Sequence, residues 1–158
     1  PYSITGAILK NLVRHRHSVS RALVMVQAEV GDRLLAAPDS AAYGALTVFT
    51  HAAFAIDRVL RLSPGCFHPP PKVKSSVLRL VPRTVPLAEE TEAFKLVVHA
   101  AFQRRRKTLR NALGGAMPVR DAEAVLERAG IDPGRRGETL SVEEFAKVAR
   151  AVEIAIGT

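Results

Sequence analysis

The apolar residues change their period near residue 85, and that change restricts the fold more than any other feature of the chain. Before it, three stretches carry strand patterns. Ala22 to Gln27 (ALVMVQ) is a short Val-containing apolar run, which predicts a strand buried on both faces. Ile56, Arg58, Leu60 and Leu62 alternate with other residues, and Val77, Arg79 and Val81 alternate against Ser76, Leu78 and Leu80, which predicts two more strands. Helices fall between and before them. Ile4, Ile8, Leu9 and Leu12 make a helical stripe over 3–13, with Ser3 or Thr5 available to cap its first turn. Glu29 to Ala36 reads as a short helix stopping at Pro38, and Tyr43 to Phe54 as another. Pro64 to Pro71 holds four prolines and predicts a fixed loop.

After Pro82 and Pro86 the period is helical throughout. Phe94, Val97, Val98, Ala101 and Phe102 lie on one helical face. Leu109, Ala112 and Leu113 predict a second helix ended by Gly114-Gly115. Ala122, Val125, Leu126 and Ala129 predict a third, closed by Gly130 with Ile131 as its hydrophobic contact. The last helix starts with a capping box, Ser141 with Glu144, and a staple, Leu140 with Phe145. The expected division is therefore 1–85, the end of an α/β domain, and 86–158, a small all-α domain. About three strands are few for an open α/β sheet, so the first part reads as a domain cut in its middle.

Charge adds a polyanion to the expectations. Lysine and arginine number 23 against 15 acidic residues, a net charge of +8. Residues 1–85 hold 11 basic and 4 acidic residues, whereas 86–158 hold 12 and 11. The second part is nearly neutral but concentrates its cations in Arg104, Arg105, Arg106, Lys107 and Arg110. If that run is helical, like charges one turn apart repel, and contact with a nucleic acid explains why they are tolerated.

Other chemistries find little support. The sequence has no P-loop, no G-x-S-x-G and no H-E-x-x-H. One cysteine, Cys66, allows neither an internal disulfide nor a paired-cysteine metal site, and no metal is expected. His15 and His17 stand close but lie among arginines, as on a solvated basic surface. No run of about 18 apolar residues is available to span a membrane. A reducing, cytoplasmic setting and a monomer are the expectations. A helix-turn-helix DNA binder is a rival, drawn from helices at 121–130 and 141–155. Glu143 and Glu144 at the start of the second would suit a DNA groove badly.

Four segments carry a resemblance. Pro1-Tyr2-Ser3-Ile4-Thr5 is similar to the end of the N-L-P-Y motif of adenine-N6 methyltransferases. Gln27 to Leu34 (QAEVGDRL) with Tyr43-Gly44-Ala45-Leu46 resembles the middle of the small-subunit rRNA adenine dimethyltransferases. Phe67 to Val77 (FHPPPKVKSSV) resembles their F-x-P-x-P-K-V-x-S motif. Gln103 to Asn111 (QRRRKTLRN) and Glu138-Thr139-Leu140-Ser141 resemble their helical domain. The order and spacing are specific, and the R-R-K-T-L-R-N segment (Arg105 to Asn111) favours this family over the related antibiotic-resistance methyltransferases.

That resemblance implies a Rossmann-like methyltransferase sheet, present here as its C-terminal part, followed by a small helical rRNA-binding domain. It implies S-adenosylmethionine as methyl donor, two adjacent adenines near the 3′ end of small-subunit rRNA as target, and a precursor of the small (30S) subunit as partner. Pro1, Tyr2 and Phe67 would be catalytic: a backbone carbonyl for the amine and two aromatic faces for the flipped base. Arg104, Arg105, Arg106, Lys107, Arg110, Lys72 and Lys74 would contact RNA. The family's Asn-Leu, its glycine-rich loop and its acidic ribose ligand are not in this sequence, so the donor-binding residues are expected upstream of Pro1. No donor is expected to bind this chain alone, which leaves a non-catalytic rRNA-binding module as the alternative. Lys74 stands where the motif usually has an acidic residue.

Overall fold

A computed structural model describes residues 2–157. Its one sheet has three strands in the order β1-β3-β2: β1 Ala22–Gln27, β2 Phe54–Leu62 and β3 Ser75–Pro82. Strand β3 runs antiparallel to both neighbours, so β1 and β2 are parallel to each other with a reversed strand between them. The crossover from β1 to β2 passes through helices α2 (Ala28–Leu34) and α3 (Ala45–Ala53). The first helix, α1 (Thr5–Arg14), precedes β1.

The helices cover one face of the sheet. Leu9, Val26, Leu34, Phe54, Leu78 and Leu80 form a core there, with Val24 and Ile56 packed against it. The other face is open. Leu23 is 64% exposed and Met25 46%. The expectation of a β1 buried on both faces is not met within this chain: its alternate residues divide between core and surface, because among the described residues helices pack on one side only. Arg79 and Asp57 pair on that open face, Nε to Oδ1 2.9 Å.

The cap expected for α1 also differs. No side chain caps it; the Thr5 hydroxyl donates to the Tyr2 carbonyl at 2.9 Å and closes a 3-10 turn over Tyr2–Ile4. Ile4 and Ile8 are exposed, so only Leu9 of the expected stripe is fully buried.

A second core is built by α4 (Glu92–Gln103), α5 (Leu109–Leu113), α6 (Val119–Arg128) and α7 (Val142–Ile156). Phe94, Val98, Leu109, Leu113, Leu126 and Phe145 lie at its centre, and Tyr43, Val48 and Ala52 join it from before residue 85. Helix α3 thus lends one side to each core. The terminal signals are formed as the sequence predicts for α6 and α7. Gly130 has φ +70, its N–H reaches the Glu127 carbonyl, and the N–H of the buried Ile131 reaches Leu126. Ser141 and Glu144 exchange both capping-box bonds. Helix α5 also ends where expected, at Gly114, but that residue is right-handed (φ −59), so the helix closes without a left-handed residue.

Candidate functional site

The C-terminal ends of the two parallel strands meet at one residue. Ser75 opens β3 and pairs with Gln27 at the end of β1 and Leu62 at the end of β2. In open α/β sheets this is the end at which ligands bind, since the loops there leave the layer together. Two of the residues expected to be catalytic are carried to it. Tyr2, half-buried in its 3-10 turn, has its hydroxyl hydrogen-bonded to the Ser75 hydroxyl. Phe67 sits in the loop joining β2 to β3, after a 3-10 turn at Pro64–Cys66. Its N–H donates to the Pro64 carbonyl at 3.2 Å, and the next peptide, His68-Pro69, is cis. The Lys74 carbonyl accepts from Ala28 N–H at 2.9 Å and anchors the loop to the start of α2.

Phe67 belongs to neither core. It is half-buried on a proline-stiffened loop. Pro1 lies outside the described residues. Lys72 and Lys74 are exposed on the same loop.

The basic run takes a different form from the helix considered for it. Helix α4 ends at Gln103, and Arg104 to Lys107 form a turn, closed by Lys107 N–H on the Arg104 carbonyl at 2.8 Å. Thr108 then bridges to Arg136, and Leu109 N–H reaches the Arg135 carbonyl. The turn is needed because Phe94, Val98 and Leu109, Leu113 must face one core from two helices. The five cations consequently divide. The Arg105 guanidinium donates to the carbonyls of Ser40 (3.3 Å) and Ala41 (2.9 Å), tying α4 to the loop before α3. Arg104 reaches the Asn111 carbonyl at 3.4 Å, and Arg110 pairs with Glu123 at 3.5 Å. Arg106 and Lys107 are exposed and have no side-chain partner among the described residues.

Sequence reasoning missed Arg136. The bridge to Thr108 brings this exposed arginine beside the turn from 28 residues away, and only pairing across the chain could have shown it. Its neighbour Arg135 is structural: it donates to both Glu144 carboxylate oxygens, at 2.6 and 3.1 Å, and that bond holds the Glu144 carboxyl below its usual range.

The net charge of the first 85 residues is spread. Arg16, Arg33, Arg58 and Arg79 are paired with acids. Lys10 and Arg14 line a groove of about 630 Å³ between α1, α3 and α4, opposite Lys95 and Glu90. The helix-turn-helix rival is not supported. Seven residues of α7, from Val142 to Val152, are buried, and Glu144 is committed to Arg135 and the cap.

A parallel strand pair with a reversed strand between them, followed by a helical bundle, is a fold shared with solved methyltransferases. The structure matches a dimethyladenosine transferase from Plasmodium falciparum with a TM-score of 0.82 at 23% identity, over 94% of this chain and 62% of that one. It matches the 23S rRNA methyltransferase ErmE with a TM-score of 0.64 at 26% identity, over 97% and 62%. The fold class is thus the C-terminal part of a Rossmann-like methyltransferase with an all-α unit after it. The chain belongs to the ribosomal RNA adenine dimethylase family, whose sequence model matches residues 1–153. It is 49% identical to the ribosomal RNA small subunit methyltransferase A of Syntrophotalea carbinolica over 97% of its length, and 45% identical to that of Geobacter sulfurreducens over 100%. It spans 59% of each of these relatives.

Proposed function

We propose that the full-length protein is an S-adenosylmethionine-dependent enzyme. It would place two methyl groups on N6 of each of two adjacent adenines near the 3′ end of small-subunit rRNA. It would act as a cytoplasmic monomer on a precursor of that subunit. The observation that carries this reading is the placing of Tyr2 and Phe67 on segments that converge where two parallel strands end, with Phe67 outside both cores.

The chemistry asks for orientation more than for acid–base help. The lone pair of an adenine N6 is delocalised into the ring, so the base must leave its stack and be held with the amine turned toward the methyl group. Tyr2 and Phe67 would supply aromatic faces for the extruded base, and stacking of this kind is worth roughly 1–3 kcal/mol per base. The Pro1 carbonyl is the acceptor that the resemblance assigns to the amine. The donor supplies an electrophilic methyl on a sulfonium centre when bound. Gly31, which follows β1, is packed against Ser76, where an added Cβ would lie 3.1 Å from the serine Cβ, so it gives the donor no cradle. Its ligands are assigned to residues upstream of Pro1.

Affinity for RNA would come from Arg106, Lys107 and Arg136, with Arg104 and Arg110 beside them and Lys72 and Lys74 on the Phe67 loop. Arg105 would act chiefly by holding the turn. Such contacts position the enzyme and carry little sequence information.

The test is methyl transfer by the full-length protein to small subunits lacking the modification, read as dimethyladenosine by mass spectrometry of the 3′ fragment of the rRNA. Two adjacent dimethyladenosines are expected. RNA binding without any transfer would favour the non-catalytic module instead.

A further inference from the structure

We propose that Ser75 is a positioning residue that fixes the tilt of the Tyr2 ring. The proposal rests on the reading of Tyr2 as a face for the target adenine.

Consecutive residues of a strand point to opposite faces, so Ser75 and Ser76 do different things. Both are fully buried. The Ser76 hydroxyl lies under Gly31 of α2 and has no hydrogen-bond partner. The Ser75 hydroxyl is bonded to the Tyr2 hydroxyl, 73 residues away in sequence. Ser75 is also well fixed, since it belongs to the central strand and pairs on both sides, with Gln27 and with Leu62.

Among the described residues Tyr2 has little else to orient it. Its ring belongs to neither core and makes none of the aromatic contacts found elsewhere in the chain. Its backbone is held by the Thr5 hydroxyl, which does not restrain the ring. Holding the phenol oxygen fixes the direction of the ring's long axis, and the preference of a phenolic hydrogen bond for the ring plane sets the rotation about that axis, while both faces stay free, which is what a stacking platform requires. Ser75 touches neither base nor donor in this scheme; it acts through Tyr2. Because Ser75 also joins the ends of β1 and β2, the tilt is referenced to the rigid sheet and not to the loop.

The experiment uses the full-length protein, its Ser75→Ala, Tyr2→Phe and double variants, and unmethylated small subunits. Ser75→Ala and Tyr2→Phe are each expected to lower kcat by about three- to tenfold, the effect of removing one ordinary hydrogen bond. KM for the subunit should stay within about twofold, since one base is a small part of the RNA interface. The double variant should be no slower than the slower single one, because each change removes the same bond. A second readout is independent of turnover. With 3-fluorotyrosine incorporated, the fluorine signal that Tyr2→Phe abolishes should shift in Ser75→Ala. Unchanged kcat in Ser75→Ala, multiplicative losses in the double variant, or an unmoved fluorine signal would each overturn the proposal. A wild-type protein that transfers no methyl group would sink the adenine reading itself, and the fluorine signal would still decide whether Ser75 holds the ring.

Discussion

The end of the sheet and the turn between α4 and α5 are both assigned to RNA, yet they are built on opposite principles. At the sheet end a few uncharged groups are tied closely to the backbone framework: Tyr2 to Ser75, and the Phe67 loop to Ala28 through Lys74. At the turn, cations project from a short connection whose backbone is pinned from below by Thr108 and Leu109, while Arg106 and Lys107 extend freely. The first arrangement can orient one base, with the exposed Lys72 and Lys74 of the Phe67 loop beside it. The second can gather phosphates but cannot aim at an atom. Turnover and affinity should therefore respond to different residues.

The largest effect is expected from the free cations. Replacing Arg106 and Lys107 together by Ala should weaken binding of the full-length protein to rRNA about tenfold at moderate salt. The slope of log affinity against log salt should flatten by about 0.7–0.9 for each phosphate that is no longer neutralised. Filter binding over a salt series measures both, and an unchanged slope in a folded variant would move the RNA interface to Lys10, Arg14 and the rest of the first 85 residues. Arg105→Ala sharpens the division within the run. It should cost roughly 1 kcal/mol of stability, because the bonds to Ser40 and Ala41 are removed, and leave the salt slope nearly intact. Urea denaturation beside the same binding series separates the two readouts.

Donor binding tests the sheet end from another side. Calorimetry of residues 1–158 with S-adenosylmethionine should give no measurable heat of binding. Micromolar binding would contradict the assignment of the donor ligands to residues upstream.

The smallest effect concerns the frame between the two sites. His51 donates from Nε2 to the Leu34 carbonyl at 2.7 Å, and its own carbonyl accepts from Arg83. Burial holds its pKa below the ordinary value; the bond to Leu34 opposes that shift and the Arg83 charge adds to it. The folded state therefore takes up the proton less readily than the unfolded chain. The His51 contribution is intact above the unfolded value near 6.5 and is lost as pH falls from there through the folded pKa. Thermal unfolding between about pH 7.5 and pH 5.5 should show a decline that is shallower in His51→Gln.

What the sequence disclosed follows from how local each signal is. The helices of the bundle were legible because their apolar faces and caps lie within a few residues, as Ser141 with Glu144 and Gly130 with Ile131 demonstrate. All three strands were legible, β1 as an apolar run and the other two by alternation, but their order was not. That β3 lies between β1 and β2, and that Ser75 joins their ends, depends on pairing between distant segments. Whether one face of β1 or two are covered is not legible in a Val-containing run, and within this chain Leu23 and Met25 are exposed. The basic run was found, but its form as a turn and the division of its cations were not. Charge can be counted in a sequence, whereas the carbonyls of Ser40 and Ala41 that take Arg105, and the bridge that adds Arg136, exist only in the fold. Tyr2 and Phe67 were named through family resemblance, and their convergence on one end of the sheet is a product of topology.

Phe67→Ala in the full-length enzyme probes the central claim most directly, with kcat measured under saturating rRNA and affinity measured in parallel. Removing one stacking face should lower turnover by about tenfold or more and change affinity less than about threefold, since stacking on a single base is worth roughly 1–3 kcal/mol within a large charged interface. Turnover that holds while affinity falls would contradict the account, for Phe67 would then be a binding contact and the end of the sheet would not be where the base is held.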